Sequence, residues 1–224
     1  MLALLIALSL PASASTREVG LELGWVGTND PRWDLLGGDG VLASWGIRGG
    51  VPIHKHLALV GGWQHAAVGG EISLDGGYDY DDEAVYAEED SVDEDYYYSG
   101  NTIVRTGFWS DQVTFGVKAD KQFTRWFGLY ATVQGTGMHA LVKLDADEDR
   151  TGEEDPSELT VNGWTGGLLA TGGVEFTIPL GRSGLGLGLW TEFGYEWNAP
   201  MELEQLGSVQ FAGFAGRAGT GIRF

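Results

Sequence analysis

Residues 209–224, VQFAGFAGRAGTGIRF, decide how the rest of the chain is interpreted. Every second residue from Ala212 to Phe224 is apolar or small, and Ile222 precedes the final Phe224 by two positions. The positions between them hold Arg217, Arg223 and small residues. A period of two is the pattern of a β-strand whose two faces meet different environments. The stretch therefore predicts a terminal strand with one apolar face and one polar, glycine-rich face.

Earlier segments of the chain alternate in the same way, and each is a predicted strand. They are residues 17–27, 41–48, 57–74, 113–120, 127–144, 160–178 and 185–197, with 102–109 as an extension of the fourth. The third segment alternates least clearly, which predicts a change of phase at a bulge near residues 61–62 or 69–70.

The connections between these segments run long, short, long, short, long, short and medium. An up-and-down barrel produces this alternation, because every second connection lies at the same end. A sandwich with Greek-key connections gives no such pattern. We therefore predict an all-β protein, an eight-stranded antiparallel up-and-down transmembrane β-barrel, with an N-terminal signal peptide before it.

The chain resembles the small outer-membrane barrels of the OmpA-like and OmpX-like superfamily in strand alternation, connection lengths and its terminal Phe224. Ile222 and Phe224 resemble the carboxy-terminal assembly signal of such proteins. The resemblance implies a bacterial outer-membrane location with both termini in the periplasm. It also implies the lipid bilayer and the barrel-assembly machinery as partners, and no cofactor.

The first residues agree with export. Residues 1–10 are almost wholly apolar and Ala12 and Ala14 give the A-x-A pattern of a cleavage site, so we expect a signal peptide over 1–14 and a mature barrel over 15–224. An apolar run of this length is too short to span a bilayer, which takes about 20 residues. The sequence has no cysteine, which excludes disulfides and thiol chemistry.

The acidity of the chain is concentrated in two predicted extracellular loops. Residues 75–98 hold eleven acids and no base, and residues 145–158 hold eight acids and Arg150, within a formal net charge of −19. Such loops are either solvated and extended or a surface for divalent cations or basic partners. Asp145, Asp147 and Asp149 alternate as in a calcium loop, although Arg150 departs from the EF-hand pattern. We expect no nucleic-acid partner.

Charged residues also occur on the predicted inner faces of the strands. We expect them to form an ion-pair network that fills the lumen, because charges in a narrow interior need partners. The predicted network comprises Glu22, Arg48, Lys118, Glu175, Glu192, Glu196 and Arg217, together with Glu18 and Arg223. The glycine-rich inner faces leave room for the alternative of a narrow small-solute pore.

The aromatic residues divide into two groups. Trp25, Trp45, Trp126, Trp164 and Trp197 lie near predicted strand ends, where indole rings favour the membrane interface. Trp33 and residues 96–98, three tyrosines, lie in predicted loops and are the candidates for a sugar-stacking surface.

No enzymatic motif is found. None of the four histidines stands in the His-x-Ser pair of lipid A deacylases, and no nucleophile elbow or metalloprotease helix occurs. We therefore expect a non-enzymatic scaffold that presents acidic loops for surface integrity, adhesion or interaction. Besides the pore, the remaining alternative is a soluble secreted lipocalin-like binder, which would turn the apolar faces inward.

Overall fold

The computed structural model describes residues 17–28, 30, 33, 40–74, 102–148, 157–181, 184–203 and 207–224. The predicted signal peptide and the acidic stretch 75–98 lie outside these residues. The strands are β1 (Glu18–Gly27), β2 (Val41–His54), β3 (Leu57–Leu74), β4 (Thr102–Gln122), β5 (Phe127–Glu148), β6 (Ser157–Pro179), β7 (Gly186–Asn198), β8 (Met201–Leu203), β9 (Gly207–Val209) and β10 (Ala212–Arg223). Among the described residues, no helix has the length and hydropathy needed to cross a bilayer.

All strands except β8 and β9 close into one antiparallel barrel, in the order in which they follow one another along the chain. The barrel is closed by β1, which pairs with β10 over nearly its whole length. The pairing extends to the chain end, because Arg17 and Phe224 exchange backbone hydrogen bonds of 3.1 and 3.0 Å. The predicted eight-stranded up-and-down barrel is therefore confirmed, and its closure leaves no free strand edge in the described wall.

The two ends of the barrel differ in their connections. One end, here named the turn end, carries the short turns 55–56, 123–126 and 180–185. The other end, the loop end, carries the connections 28–40, 75–101, 149–156 and 199–211. This is the alternation that the sequence predicted.

The barrel wall is apolar outside and polar inside. Leu23 and Phe115 on the outer face are 69% and 66% exposed, whereas Glu192 on the inner face is 0% exposed. Further outward-facing apolar side chains include Val19, Leu21, Ile47, Val51, Val113, Val133, Leu168, Phe193 and Phe214. A monomeric protein in water rarely exposes so large a continuous apolar surface. The lipocalin-like alternative is wrong, because it requires the opposite phase.

The outer aromatic residues lie near the limits of this apolar belt, as predicted. Trp25, Trp45, Trp164 and Trp197 are all exposed near the loop end of their strands, and Trp126 is exposed in the turn 123–126 at the opposite end. Indole rings at two levels of a barrel wall are typical of proteins that meet a membrane at both interfaces.

The third strand is more regular than its sequence suggests. β3 keeps a single register with β4 from Leu57 to Leu74, so the predicted phase change at residues 61–62 or 69–70 is wrong. The irregularity lies instead in β2, where the register with β3 shifts between Pro52 and His54. Proline has no backbone N–H to donate to the ladder, which explains why the shift occurs there.

Two connections also differ from prediction. β5 continues to Glu148 and β6 begins at Ser157, so both ends of the predicted acidic loop 145–158 belong to strands. The cause is backbone pairing: Asp145 pairs with Arg105 of β4 and with Glu158 of β6. The medium connection before the last strand contains a small hairpin, β8–β9, that the sequence did not predict.

Candidate functional site: the barrel lumen

The inward-facing side chains form an ionic region near the turn end, a polar layer above it, and an apolar cluster at the loop end. The alternation of each strand places these side chains inside, and antiparallel pairing brings residues from different strands to the same height. An eight-stranded barrel is just wide enough for its own side chains to fill. The contents of the lumen therefore decide whether anything can pass through it.

Two carboxylates and two cations meet near the turn end. Glu175 accepts hydrogen bonds of 2.6 Å from both Lys118 Nζ and Arg223 Nη2, and a further one from Gln122. Glu18 Oε2 lies 3.1 Å from Arg223 Nη2 and 3.4 Å from Lys118 Nζ. All four charged side chains are buried. The alternating charges form one cluster in which every charge has an opposite neighbour.

Arg48 connects this cluster to the middle of the barrel. Its Nη1 donates to Glu192 Oε2 at 3.0 Å, and its Nε lies 3.6 Å from Glu18 Oε1. The guanidinium also faces the rings of Tyr130 and Trp190, at 5.6 and 5.7 Å from the ring centroids. Aromatic faces at this range attract a cation. Arg48 of β2 is thus held by two carboxylates and two rings that β1, β5 and β7 supply.

The inward glycines make room for these rings rather than for a channel. A Cβ atom added at Gly20 or Gly219 would collide with the ring of Trp190. One added at Gly173 would lie 2.8 Å from the ring of Tyr130. The glycine-rich inner faces, which in the sequence left room for a pore, are therefore occupied by aromatic side chains.

A second polar layer lies above Arg48. Glu22 Oε1 accepts a 2.6 Å hydrogen bond from Gln64 Nε2 and lies 3.8 Å from Arg217 Nη1. Glu196 Oε1 accepts hydrogen bonds from Gln112 and, at 2.8 Å, from Asn198 Nδ2. Glu196 belongs to the predicted ion-pair network, but within the described part of the chain no basic side chain lies within 4 Å of its carboxylate.

The loop end of the lumen is closed by an apolar cluster, here named the plug. Trp33 from the first connection packs edge-on against Phe108 of β4 and Phe211 of the last connection, at 4.9 and 5.2 Å between ring centroids. Other buried members are Leu42, Ala66, Met138, Ala140, Val142, Val161, Met201, Leu203 and Val209. Trp33 and Met201 are 0% exposed. The hairpin β8–β9 thus supplies apolar side chains to the barrel interior.

Hydrogen bonds tie the two connections that build the plug. Gln210 donates its backbone N–H to Asp30 Oδ2 at 2.8 Å and its side-chain Nε2 to the Asn198 carbonyl at 3.0 Å. Thr28 Oγ1 donates to the Gln210 carbonyl at 3.2 Å, and the Trp33 N–H donates to the Asp30 carbonyl at 2.9 Å. The bonds from Gln210 to Asp30 and from Thr28 to Gln210 join the first and last connections over the loop end, and the other two fix the local conformation of each.

Trp33 therefore corrects one prediction. The sequence made it a candidate for a sugar-stacking surface, but a fully buried ring is not available to a ligand. The residue lies in a polar connection, three positions after Asp30, and no local pattern indicates that the chain turns inward there. The other candidates, residues 96–98, lie outside the described residues.

The remaining predicted site residues lie on or next to the strands or outside the described residues. Asp145 and Asp147 occupy alternate positions of β5, and Asp149 lies outside the described residues, so a divalent-cation site there stays a prediction. Within the described ranges, no three His, Asp or Glu side chains are grouped to hold a metal ion. Ile222 and Phe224 face outward at the turn end, 43% and 52% exposed. Their role in assembly also stays a prediction.

No model of a known protein family matches the sequence. No curated protein matches it either. Solved structures with a similar fold include Ail, the attachment invasion locus protein of Yersinia pestis, at 9% identity and a TM-score of 0.42 over 94% of this chain and 98% of that one. Neisserial surface protein A is similar at 12% identity and a TM-score of 0.41, over 96% of this chain and 98% of that one. A major outer membrane protein from Thermus thermophilus is similar at 13% identity and a TM-score of 0.36, over 93% of this chain and 99% of that one. Likeness at this level says nothing about a ligand, so the side chains of the barrel must support any functional conclusion.

Proposed function

We propose that the chain is a non-conducting barrel of the bacterial outer membrane, a scaffold that holds acidic loops at the cell surface. The observation that carries the proposal is the closed lumen, with ion pairs below and the plug above. If the lumen is filled along the barrel axis, solutes cannot pass through it. Only the outer wall and the loops then remain available for function. The narrow pore, the alternative from the sequence, requires space that Trp190, Arg48 and Trp33 occupy.

The polarity of the wall supports the membrane location. Apolar side chains cover the outside, and most of the buried charged side chains of the strands pair with one another in the lumen. In water this distribution would leave the apolar belt exposed, whereas in a bilayer it places each class in its favoured environment. The exposed aromatic residues near both ends of the wall add to this support.

The distribution of charge along the sequence supports a role for the loop end in binding. The eleven acids of residues 75–98 lie between β3 and β4, whose ends are at the loop end. The connections at the turn end carry no comparable charge. A surface of this kind attracts cations and basic partners and repels anionic ones. We propose that these loops act in surface integrity, adhesion or interaction through cationic partners, divalent ions included.

The absence of cysteine from the sequence allows a direct test of this orientation. Ser91→Cys places a single thiol in the acidic stretch, and Arg125→Cys places one in the turn 123–126. Both variants are expressed with their export signal and treated with a membrane-impermeant maleimide. In intact cells Ser91→Cys is labelled and Arg125→Cys is not. After the outer membrane is permeabilised, both are labelled.

Labelling of Arg125→Cys alone in intact cells would contradict the proposed orientation. Recovery of both variants in the soluble fraction, without a shift between unboiled and boiled samples on a gel, would contradict the membrane location itself. Wild-type protein that carries no cysteine is the control for background labelling.

A further inference from the structure

The buried charges of the lumen do not balance. The described strands bury six acidic and four basic side chains, all at most 6% exposed: Glu18, Glu22, Asp120, Glu175, Glu192 and Glu196 against Arg48, Lys118, Arg217 and Arg223. Glu18, Glu22, Glu175 and Glu192 each lie within 4 Å of a basic group. Among the described residues, Glu196 and Asp120 have no such partner. An uncompensated buried charge is among the most unfavourable features that a fold can contain.

Of these two acids without a basic partner, Glu196 has the better-defined surroundings. Its side chain is 1% exposed, and among the described residues its Oε2 atom has no hydrogen-bond partner. Its Oε1 atom accepts from the neutral amides of Gln112 and Asn198. Arg217 does not reach the carboxylate, since its Nη2 donates to Gln112 Oε1 at 3.4 Å. The Gln112 amide therefore lies between the Arg217 guanidinium and the Glu196 carboxylate.

A small cavity adjoins Glu196 directly below the plug. Its volume is about 30 Å³, and its apolar lining includes Phe211 and Met138 of the plug. Its polar wall consists of Glu196, Asn198, Gln112, Gln64, Ser44 and Ser110. A single buried water needs roughly 10–15 Å³ by the same measure, so the cavity has room for one or two species of that size. The wall offers the Glu196 carboxylate, the Gln64 amide and the Ser44 and Ser110 hydroxyls, whereas the amide oxygens of Gln112 and Asn198 already accept hydrogen bonds from Arg217 and Thr136. The rest of the lining is apolar.

We propose that this cavity binds one small monovalent cation, of the alkali-ion class, with Glu196 as its charged ligand. A water molecule would satisfy the hydrogen-bonding capacity of the free oxygen but would supply no opposite charge, and a proton would neutralise the carboxylate without filling the cavity. A bound cation would neutralise the carboxylate and also fill the cavity. A monovalent ion matches the one carboxylate, whereas Ca²⁺ takes about 6–8 oxygen ligands and usually several carboxylates.

The proposal predicts that small cations stabilise the barrel through this site. The mature chain is refolded in a zwitterionic detergent and melted at constant ionic strength in sodium, potassium, rubidium or N-methylglucamine chloride. Above the dissociation constant, the melting midpoint should rise by roughly 3–5 °C for each tenfold increase in the preferred small cation. N-methylglucamine, which is too large for the cavity, should have no such effect.

A matched pair of variants locates the effect. Glu196→Gln removes the charge from the cavity and should abolish the dependence on the small cation. Glu202→Gln makes the same chemical change at an exposed position of β8 and should keep the full dependence. A dependence that is equal in both variants would overturn the proposal.

Direct retention provides a measurement that does not rely on a folded variant. Wild-type barrel equilibrated with radioactive sodium or rubidium and then rapidly desalted should retain about one ion per chain of the preferred species. The melting midpoint of wild-type protein could prove identical in all four chlorides, with no ion retained. The cavity would then hold water only, and the proposal would be wrong.

Discussion

The two halves of the lumen are filled by different chemistry. Towards the turn end, charged side chains from six strands form pairs such as Arg48–Glu192 and Lys118–Glu175. Towards the loop end, Trp33, Phe108 and Phe211 pack as an apolar core. The ionic half consists of strand residues, whereas the plug combines inward-facing strand residues such as Phe108 with two connections and the hairpin β8–β9. Strand alternation alone therefore explains the ionic half, whereas the plug also requires the two connections to fold into the barrel.

The difference shows how a narrow barrel can be closed in two ways. Ion pairs hold the strands in register, because each paired charge has its partner on another strand. Buried pairs are weak evidence for stability in themselves, yet removal of one partner is strongly unfavourable. The plug adds apolar burial, which is non-directional and follows the area removed from water. The variants below separate these contributions, beginning with the largest expected effect.

Replacement of Glu175 tests the ionic half. Glu175→Leu leaves the buried Lys118 and Arg223 with only the more distant Glu18 carboxylate among the described residues, and the free energy of unfolding should fall by about 3 kcal/mol. Urea unfolding in lipid vesicles, followed by tryptophan fluorescence, measures this change. Glu202→Leu, at an exposed position, is the control and should stay within about 0.5 kcal/mol of wild type. A loss below about 1 kcal/mol for Glu175→Leu would mean that the network contributes little.

Truncation of Trp33 tests the plug. Trp33→Ala removes the ring that contacts Phe108 and Phe211 and should lower the free energy of unfolding by about 3 kcal/mol, at the lower end of the range for buried aromatic residues. Proteolysis of the first connection should accelerate, while hydrogen exchange near Arg223 should not change. The double variant with Glu175→Leu should be additive within about 0.5 kcal/mol, because the two sites share no partner. Strong coupling between them would contradict the division of the lumen into two independent halves.

A smaller effect is expected for a hydrogen bond that fixes the last connection to the end of β7. Gln210→Ala removes the side-chain hydrogen bond to the Asn198 carbonyl but keeps the backbone bond to Asp30. The expected loss is about 1 kcal/mol, the usual net value of one hydrogen bond. Thermal melting of the variant beside Trp33→Ala measures it. A loss as large as that of Trp33→Ala would place the stability of the plug in its hydrogen bonds rather than in its apolar packing.

The smallest effect is expected on the outer wall. His65 Nδ1 lies 3.1 Å from Asp111 Oδ1, and these side chains are 29% and 53% exposed. Exposed pairs contribute about 0–1 kcal/mol, so His65→Ala should change the free energy of unfolding by no more than that. The same urea titration tests it. A loss comparable to Glu175→Leu would remove the distinction between the lumen and the wall.

The ionic half of the lumen could be predicted from sequence and the plug could not. Alternation alone places Arg48, Glu175 and Glu192 inside. Once the apolar face of a strand is assigned to the outside, the residues between the apolar ones must face inward. The partner of each charge depends on strand register, and so the isolation of Glu196 from basic groups emerges only in the structure. Trp33 lies in a polar connection, and its burial depends on contacts with Phe108 and Phe211, which are far from it along the chain. Local pattern carries no information on contacts at such separations.

The hairpin β8–β9 and the ends of β5 and β6 were missed for related reasons. Strands of three residues are too short to show a period, and Met201 and Leu203 alternate over a single repeat. The acidic residues at the ends of β5 and β6 indicate a loop by composition, but backbone pairing with β4 extends the strands through them. Composition predicts solvent exposure, whereas strand ends are determined by the hydrogen bonds of the neighbouring strands.

Ion conductance across a planar lipid bilayer tests the closed lumen most directly. The mature wild-type chain, refolded and shown to be inserted by its shift between unboiled and boiled samples, should give no conductance steps above the protein-free bilayer. Trp33→Ala should also give none, because the ion pairs around Arg48 still fill the barrel. Steady conductance steps from the wild-type chain, altered by Glu192→Gln or Arg217→Gln, would contradict the account and favour the pore.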